Sequence, residues 1–173
     1  MLFLQLLGVN MSDKVYAFKE SLEVGKSGED IIWNWLASRP YIVDLQDVSN
    51  DRKYQKQDID FLATFKDGTQ ISLEIKTDTY TTGNIYFETI SDVTMNTKGC
   101  MYVTKADFLL YYFINDNKLY IIKMDEYKKW FNRHKKDSNF KHHVVHNTRY
   151  ESEGYTFPAN LLLKEDFCKM KEI

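Results

Sequence analysis

Residues 58–77, DIDFLATFKDGTQISLEIKT, alternate apolar and polar side chains on either side of Asp67-Gly68. Alternation with period two predicts a half-buried strand, and Asp-Gly between two such runs predicts a hairpin. Its register constrains the rest of the fold, because a one-residue slip carries every side chain to the opposite face. A two-residue Asp67-Gly68 loop would set Phe61 opposite Glu74 and Asp60 opposite Ile75, mixing charged and apolar groups on both faces. A three-residue loop, Lys66-Asp67-Gly68 with Gly68 left-handed in a bulge, instead sets Asp60 opposite Glu74 and Asp58 opposite Lys76. It also sets Phe61 opposite Leu73 and Ile59 opposite Ile75. One face is then Ile59, Phe61, Ala63, Phe65, Ile71, Leu73 and Ile75; the other holds Asp58, Asp60, Thr64, Ser72, Glu74 and Lys76. The three-residue loop is the predicted one.

That register brings two carboxylates face to face. Like charges directly opposite across a strand pair cost up to about 1 kcal/mol. A divalent cation between Asp60 and Glu74 would remove the penalty, and hard oxygen ligands suit Mg²⁺. Lys76, one pleat further along the same face, would sit where an ammonium can steady a phosphate and the water attacking it. The bland alternative for Glu74 and Lys76 is a solvated strand face carrying a weak ion pair.

Around the hairpin the chain reads as α+β. Ser27 is an expected N-cap for a helix running through IIWNWLAS to a stop at Pro40, with Glu29 and Asp30 in its first turn. Residues 41–48 and 84–90 read as strands, and 49–57 as a loop. DFLLYYFI and KLYIIKM, separated by Asn115-Asp116-Asn117, form a second hairpin apolar enough to be central. MDEYKKWFNRHKKD reads as a helix, and the remainder as irregular chain with a short terminal element. Gly25-Lys26-Ser27 matches the end of a phosphate-binding P-loop, but Glu20 stands where the motif requires glycine.

Length and composition fit one soluble domain spanning 11–173. Of 173 residues 43% are hydrophobic, enough for a core, and seven glycines with two prolines exclude a disordered or fibrous chain. Residues 1–10, MLFLQLLGVN, are too short to span a bilayer. They read either as an extension ahead of a natural start at Met11 or as a short extra helix packed on the domain. Cys100 and Cys168 form no framework and are expected to be buried filler in a reducing compartment.

A formal net charge of −2 hides an asymmetry. Residues 118–149 carry nine Lys/Arg against three acids, and all four histidines fall there. The chain is therefore no uniformly basic DNA-binding protein, but an acidic site beside a basic face fits. Lys128, Lys129, Arg133, Lys135 and Lys136 are candidate phosphate contacts, as is KHHVVH at 141–146. The alternative is a helix whose Trp130 and Phe131 are core and whose lysines are solvated. His134, His142, His143 and His146 have no nearby cysteines and no finger spacing, which argues against structural zinc.

Asp60 followed by Glu74-Ile75-Lys76 on the next strand, after a helix bearing Glu29, resembles the PD-(D/E)xK nuclease superfamily. The likeness covers roughly residues 25 to 90, and its weight comes from the order of the parts. Ile59 stands where the family name has proline. The resemblance implies a restriction-endonuclease-like core, a central mixed β-sheet flanked by helices. It implies catalytic roles for Glu29, Asp60, Glu74 and Lys76, and a Mg²⁺ or Mn²⁺ site at Asp60, Glu74 and Ile75. Asp58 and Glu88 are additional candidates. The expected protein is thus a cytoplasmic endonuclease of bacterial or phage origin acting on DNA. Its expected action is structure-directed or weakly sequence-specific, and a homodimer would suit cutting two strands. A restriction-type enzyme, or a DNA-binding module that keeps the fold without catalysis, are the alternatives.

Overall fold

The computed structural model of the chain describes residues 11–146 and 150–173, with side chains from Glu23 onward. The 1–10 segment lies outside the described residues. Helix α1 (Met11–Ala37) leads into strand β1 (Ile42–Asp47), a one-turn helix α2 (Arg52–Gln55), and the hairpin of β2 (Phe61–Phe65) and β3 (Gln70–Asp78). Next come β4 (Asn84–Asp92), β5 (Thr97–Lys98), a short helix α3 (Cys100–Val103), and the second hairpin of β6 (Phe108–Phe113) and β7 (Lys118–Lys123). Helix α4 (Met124–His134) follows. The chain closes with β8 (Lys141–His146), β9 (Glu151–Pro158), a 3₁₀ turn (Ala159–Lys164) and β10 (Cys168–Glu172).

Six strands form a mixed sheet in the order β1-β2-β3-β6-β7-β10, and four more form a second sheet, β5-β4-β9-β8. In the first sheet only β3 and β6 run parallel, joined by the crossover that contains β4, β5 and α3. The apolar second hairpin is central, as its continuous hydrophobic character predicts. The architecture is α+β around a central mixed sheet. No helix among the described residues is long and apolar enough to cross a membrane.

The first hairpin takes the three-residue loop. Phe61 pairs with Leu73, Leu62 with Ser72 and Ala63 with Ile71, and Gly68 has φ 84°. Glycine is the residue that adopts this left-handed backbone without a Cβ clash. Phe61, Ala63, Leu73 and Ile75 bury against Ile32 and Leu36 of α1 and against Leu110 and Tyr112 of β6. Ile59 departs from the predicted face, packing instead with Leu62 and Ala106. The ladder begins only at Phe61, and Asp58 has φ 46°, so the strand alternation does not extend back to Ile59.

Other expectations are corrected. Ser27 is interior to α1, not its N-cap, and Glu29 and Asp30 are not first-turn acids, because the helix begins at Met11. Nothing between Met11 and Ser27 is a proline, and single glycines weaken a helix without ending it. The 49–57 loop contains α2, capped by the Asp51 side chain on Lys53 N–H. NIYFETI is a strand, but of the second sheet. The carboxy-terminal part ends in the expected short element, β10, but the chain before it, expected to be irregular, supplies β8 and β9.

The two sheets share a core. Ile85 and Phe87 of β4 and Phe157 of β9 pack with Leu109, Tyr111 and Ile122 of the first sheet and with Tyr127, Trp130 and Phe131 of α4. Phe87 and Phe131 stack with centroids 3.7 Å apart. Trp130 and Phe131 are thus core residues, while Lys129, Arg133 and Lys136 are exposed.

Candidate active site

Helix α1 lies against β3 at one close approach. A Cβ on buried Gly28 would overlap the Thr77 side chain, so only glycine lets the helix backbone come this near the strand. Glu29, next in sequence, is consequently held close enough to feel the charges of Asp60 and Lys76. Burial pushes its carboxyl above the ordinary range, with Asp60, Asp47 and Asp30 adding to the shift and Lys76 opposing it.

Asp60 sits just before β2, where the backbone ladder ends. Its N–H goes to the Leu73 carbonyl at 2.9 Å, and its Oδ2 accepts the Ile75 N–H at 2.8 Å. The expected direct Asp60–Glu74 pairing is therefore modified: the Asp60 side chain takes the place of a backbone acceptor for β3. The other oxygen, Oδ1, has no hydrogen-bond donor among the described residues.

Glu74 is the most deeply buried acid of the cluster, only 3% exposed. Its Oε1 lies 2.6 Å from Lys76 Nζ. Burial pushes the Glu74 carboxyl up to about 8, with Lys76 pulling it down and Asp60 and Asp58 adding to the rise. Burial disfavours the charge on Lys76, yet Glu74 and Asp60 hold its ammonium above the ordinary lysine range. An exposed strand pair would leave both groups near their ordinary values; the burial of Glu74 excludes the solvated-face alternative for this position.

Asp58, half-buried, is pushed up by burial and pulled back by Lys76. Its carbonyl accepts the Thr104 hydroxyl at 2.8 Å, and Thr104 in turn gives its carbonyl to Lys128 Nζ. Lys128 therefore reaches the edge of the acidic cluster. Of the other predicted cations, Lys135 lies over the Phe131 ring, 6.0 Å from its centroid, and donates to Asn132. Glu88 on β4 accepts the Cys100 N–H at 3.2 Å. It shares with Lys76 an open cleft of about 1440 Å³ between the two sheets. Cys100 also lines this cleft and is half-buried rather than core, its thiol pushed up to about 12 by burial.

One member went unread in the sequence. β3 runs on to Asp78, whose Oδ2 accepts the Tyr111 hydroxyl at 2.7 Å. Glu74, Lys76 and Asp78 share one face by strand alternation. The every-second-residue pattern E-x-K-x-D was the available signal.

Carboxylate oxygens are the donor type that a hard divalent cation takes. Among the described residues no three His, Cys, Asp or Glu side chains form a metal-holding group. Asp60 and Glu74, with the Ile75 carbonyl since its side chain is hydrocarbon, are the donors at hand. Mg²⁺ suits such a set, because it keeps several waters and is commonly held by one or two carboxylates. Three of the histidines face carboxylates outside the acid cluster: His134 faces Asp137, His142 faces Glu153 and His146 faces Glu151.

The raised Glu74 has a consequence for stability. A folded value near 8 against an ordinary 4.5 means that the folded state keeps a proton the unfolded chain has released. Stability without divalent cation should therefore fall as pH rises from about 5 to about 8. Lys76, also raised, keeps its contribution through that window, since its loss begins only above the ordinary lysine range. Urea unfolding in EDTA should show a steeper loss for the wild type than for Glu74→Gln. Equal slopes would place Glu74 in a solvated setting.

No family model, curated protein or solved structure matches this chain, so the functional case rests on its own residues.

Proposed function

We propose that this protein is a Mg²⁺- or Mn²⁺-dependent endonuclease with a restriction-endonuclease-like core. It would hydrolyse DNA phosphodiester bonds in a structure-directed or weakly sequence-specific manner, in the cytoplasm. The observation that carries the proposal is buried Glu74 of β3 paired with Lys76 at 2.6 Å, with the charge of Asp60 acting on both and Glu29 of α1 close enough to feel Asp60 and Lys76. A structural ion pair does not need three carboxylates around a single lysine, and like charges brought together this way are costly unless a cation or a developing charge uses them.

Hydrolysis requires a bond from water to phosphorus, loss of a P–O bond, and transfer of a proton to the departing oxygen. Lys76 is held protonated, which makes it a donor that orients water or phosphate and offsets negative charge, not a proton acceptor. Glu74 aligns that ammonium. Glu29, half-buried and with a raised carboxyl, is the better proton acceptor. Asp60, Glu74 and the Ile75 carbonyl would hold the ion, which supplies positive charge against the scissile phosphate. Lys128, with its link to Thr104, and the exposed α4 cations would hold flanking phosphates.

Incubation with supercoiled, linear, single-stranded and branched DNA, with Mg²⁺, with Mn²⁺ and with EDTA, tests the proposal. Metal-dependent cleavage is expected, weakened by Glu29→Gln and abolished by Asp60→Asn. No cleavage of any substrate with either metal would reduce the chain to a binding module.

A further inference from the structure

The cleft beside Lys76 has a second wall that the catalytic cluster does not use. Of β8, all six residues are exposed, and none of Lys141-His-His-Val-Val-His146 is acidic. His143 and His146 line the cleft opposite the Lys76 side. His143 Nε2 lies 2.7 Å from Thr156 Oγ1, and His146 Nδ1 lies 2.7 Å from Glu151 Oε1, so each ring is held by one nitrogen and keeps the other. The acids that reach the cleft are already engaged: Asp78 by the Tyr111 hydroxyl and the Tyr80 N–H, Glu88 by the Cys100 N–H. At its rim stands Tyr80, 72% exposed. The rest of the lining is uncharged and mixes hydrogen-bonding Thr79, Thr82 and Asn84 with apolar Met101, Val144 and Val145.

A cleft of about 1440 Å³ is larger than the roughly 300–1,000 Å³ of ordinary small-molecule sites. An exposed aromatic ring and two imidazoles along an open channel suit a flexible polyanion whose bases are free to stack. A duplex keeps its bases stacked on one another and offers Tyr80 none. The α4 cations, the phosphate contacts expected from the sequence, do not line this cleft among the described residues.

We infer that the cleft is a groove for a single polynucleotide strand, with Tyr80 as a base-stacking platform and His143 and His146 as phosphate contacts leading to Lys76. The inference rests on the nuclease proposal for what Lys76 does at the end of the groove, but its test is a binding measurement. Fluorescein-labelled 12-nucleotide DNA and RNA strands, and the matching DNA duplex, are titrated with protein in EDTA and followed by anisotropy. The single strands should bind more tightly than the duplex, and the DNA and RNA arms identify which sugar the groove prefers. Tyr80→Ala and the pair His143→Ala with His146→Ala should each weaken single-strand binding about tenfold, while Tyr80→Trp retains it. Melting temperatures should stay within about 2 °C of wild type, since these side chains are at the surface.

Equal or tighter duplex binding, or variants that bind single strands like the wild type, would overturn the groove. Groove binding without metal-dependent cleavage would overturn the nuclease proposal and leave the groove standing. Cleavage by a protein whose binding ignores Tyr80, His143 and His146 would do the reverse.

Discussion

Lys76→Ala should lower the rate of DNA cleavage at saturating Mg²⁺ by at least about a hundredfold, the scale on which single electrostatic groups act on a transition state. The loss should appear in kcat more than in KM, because the ammonium meets charge that develops only as the P–O bond breaks. Lys76 also neutralises a buried partner: its Nζ is 2.6 Å from Glu74 Oε1. Without it, Glu74, whose carboxyl is already pushed up to about 8, should hold its proton to still higher pH. A Lys76→Ala, Glu74→Gln double variant separates the two effects. It should fold at least as well as Lys76→Ala, since no uncompensated acid is left inside, and remain inactive. Activity within tenfold of wild type in Lys76→Ala would remove Lys76 from the chemistry.

The second large effect belongs to Gly28. Inside a helix, Gly→Ala ordinarily stabilises by about 1 kcal/mol. At Gly28 the new methyl would overlap the Thr77 side chain, and overpacking of that kind costs about 1–3 kcal/mol. Gly28→Ala should therefore lower the melting temperature, by about 4–8 °C if the net cost is about 2 kcal/mol. It should also cut cleavage disproportionately, because moving α1 away from β3 withdraws Glu29 from Asp60 and Lys76. In a Thr77→Ala background the same substitution should cost less, since most of the overlapping atoms are gone. A stabilised Gly28→Ala protein with normal activity would show that the helix has room to spare and that Glu29 is not positioned by this contact.

Much of this arrangement was legible in the chain itself. Period-two alternation in FLATF and QISLEIKTD, with a glycine free to turn left-handed between them, allowed one register that keeps apolar residues together, and Phe61 does pair with Leu73. That choice is local: it depends on the pleat and on the backbone freedom of Gly68, both carried by the segment. The apolar second hairpin and the amphipathic 124–134 helix were readable for the same reason.

Ile59 was not, because the strand alternation that would have placed it stops where Asp58 turns to positive φ, and the apolar side chain follows Leu62 and Ala106 to the other face. The start of α1 was hidden because a good capping residue, Ser27, sits inside a longer helix that no proline interrupts. The second sheet depends on pairings such as Phe87 with Tyr155, far apart in the chain, whose partners no local period reveals. The acid–lysine cluster divides the same way. Strand alternation alone put Glu74 and Lys76 on one face, but an acid on a strand face is ordinarily solvated. Only the elements packed over it bury Glu74, and burial is what raises its carboxyl and makes its partners matter.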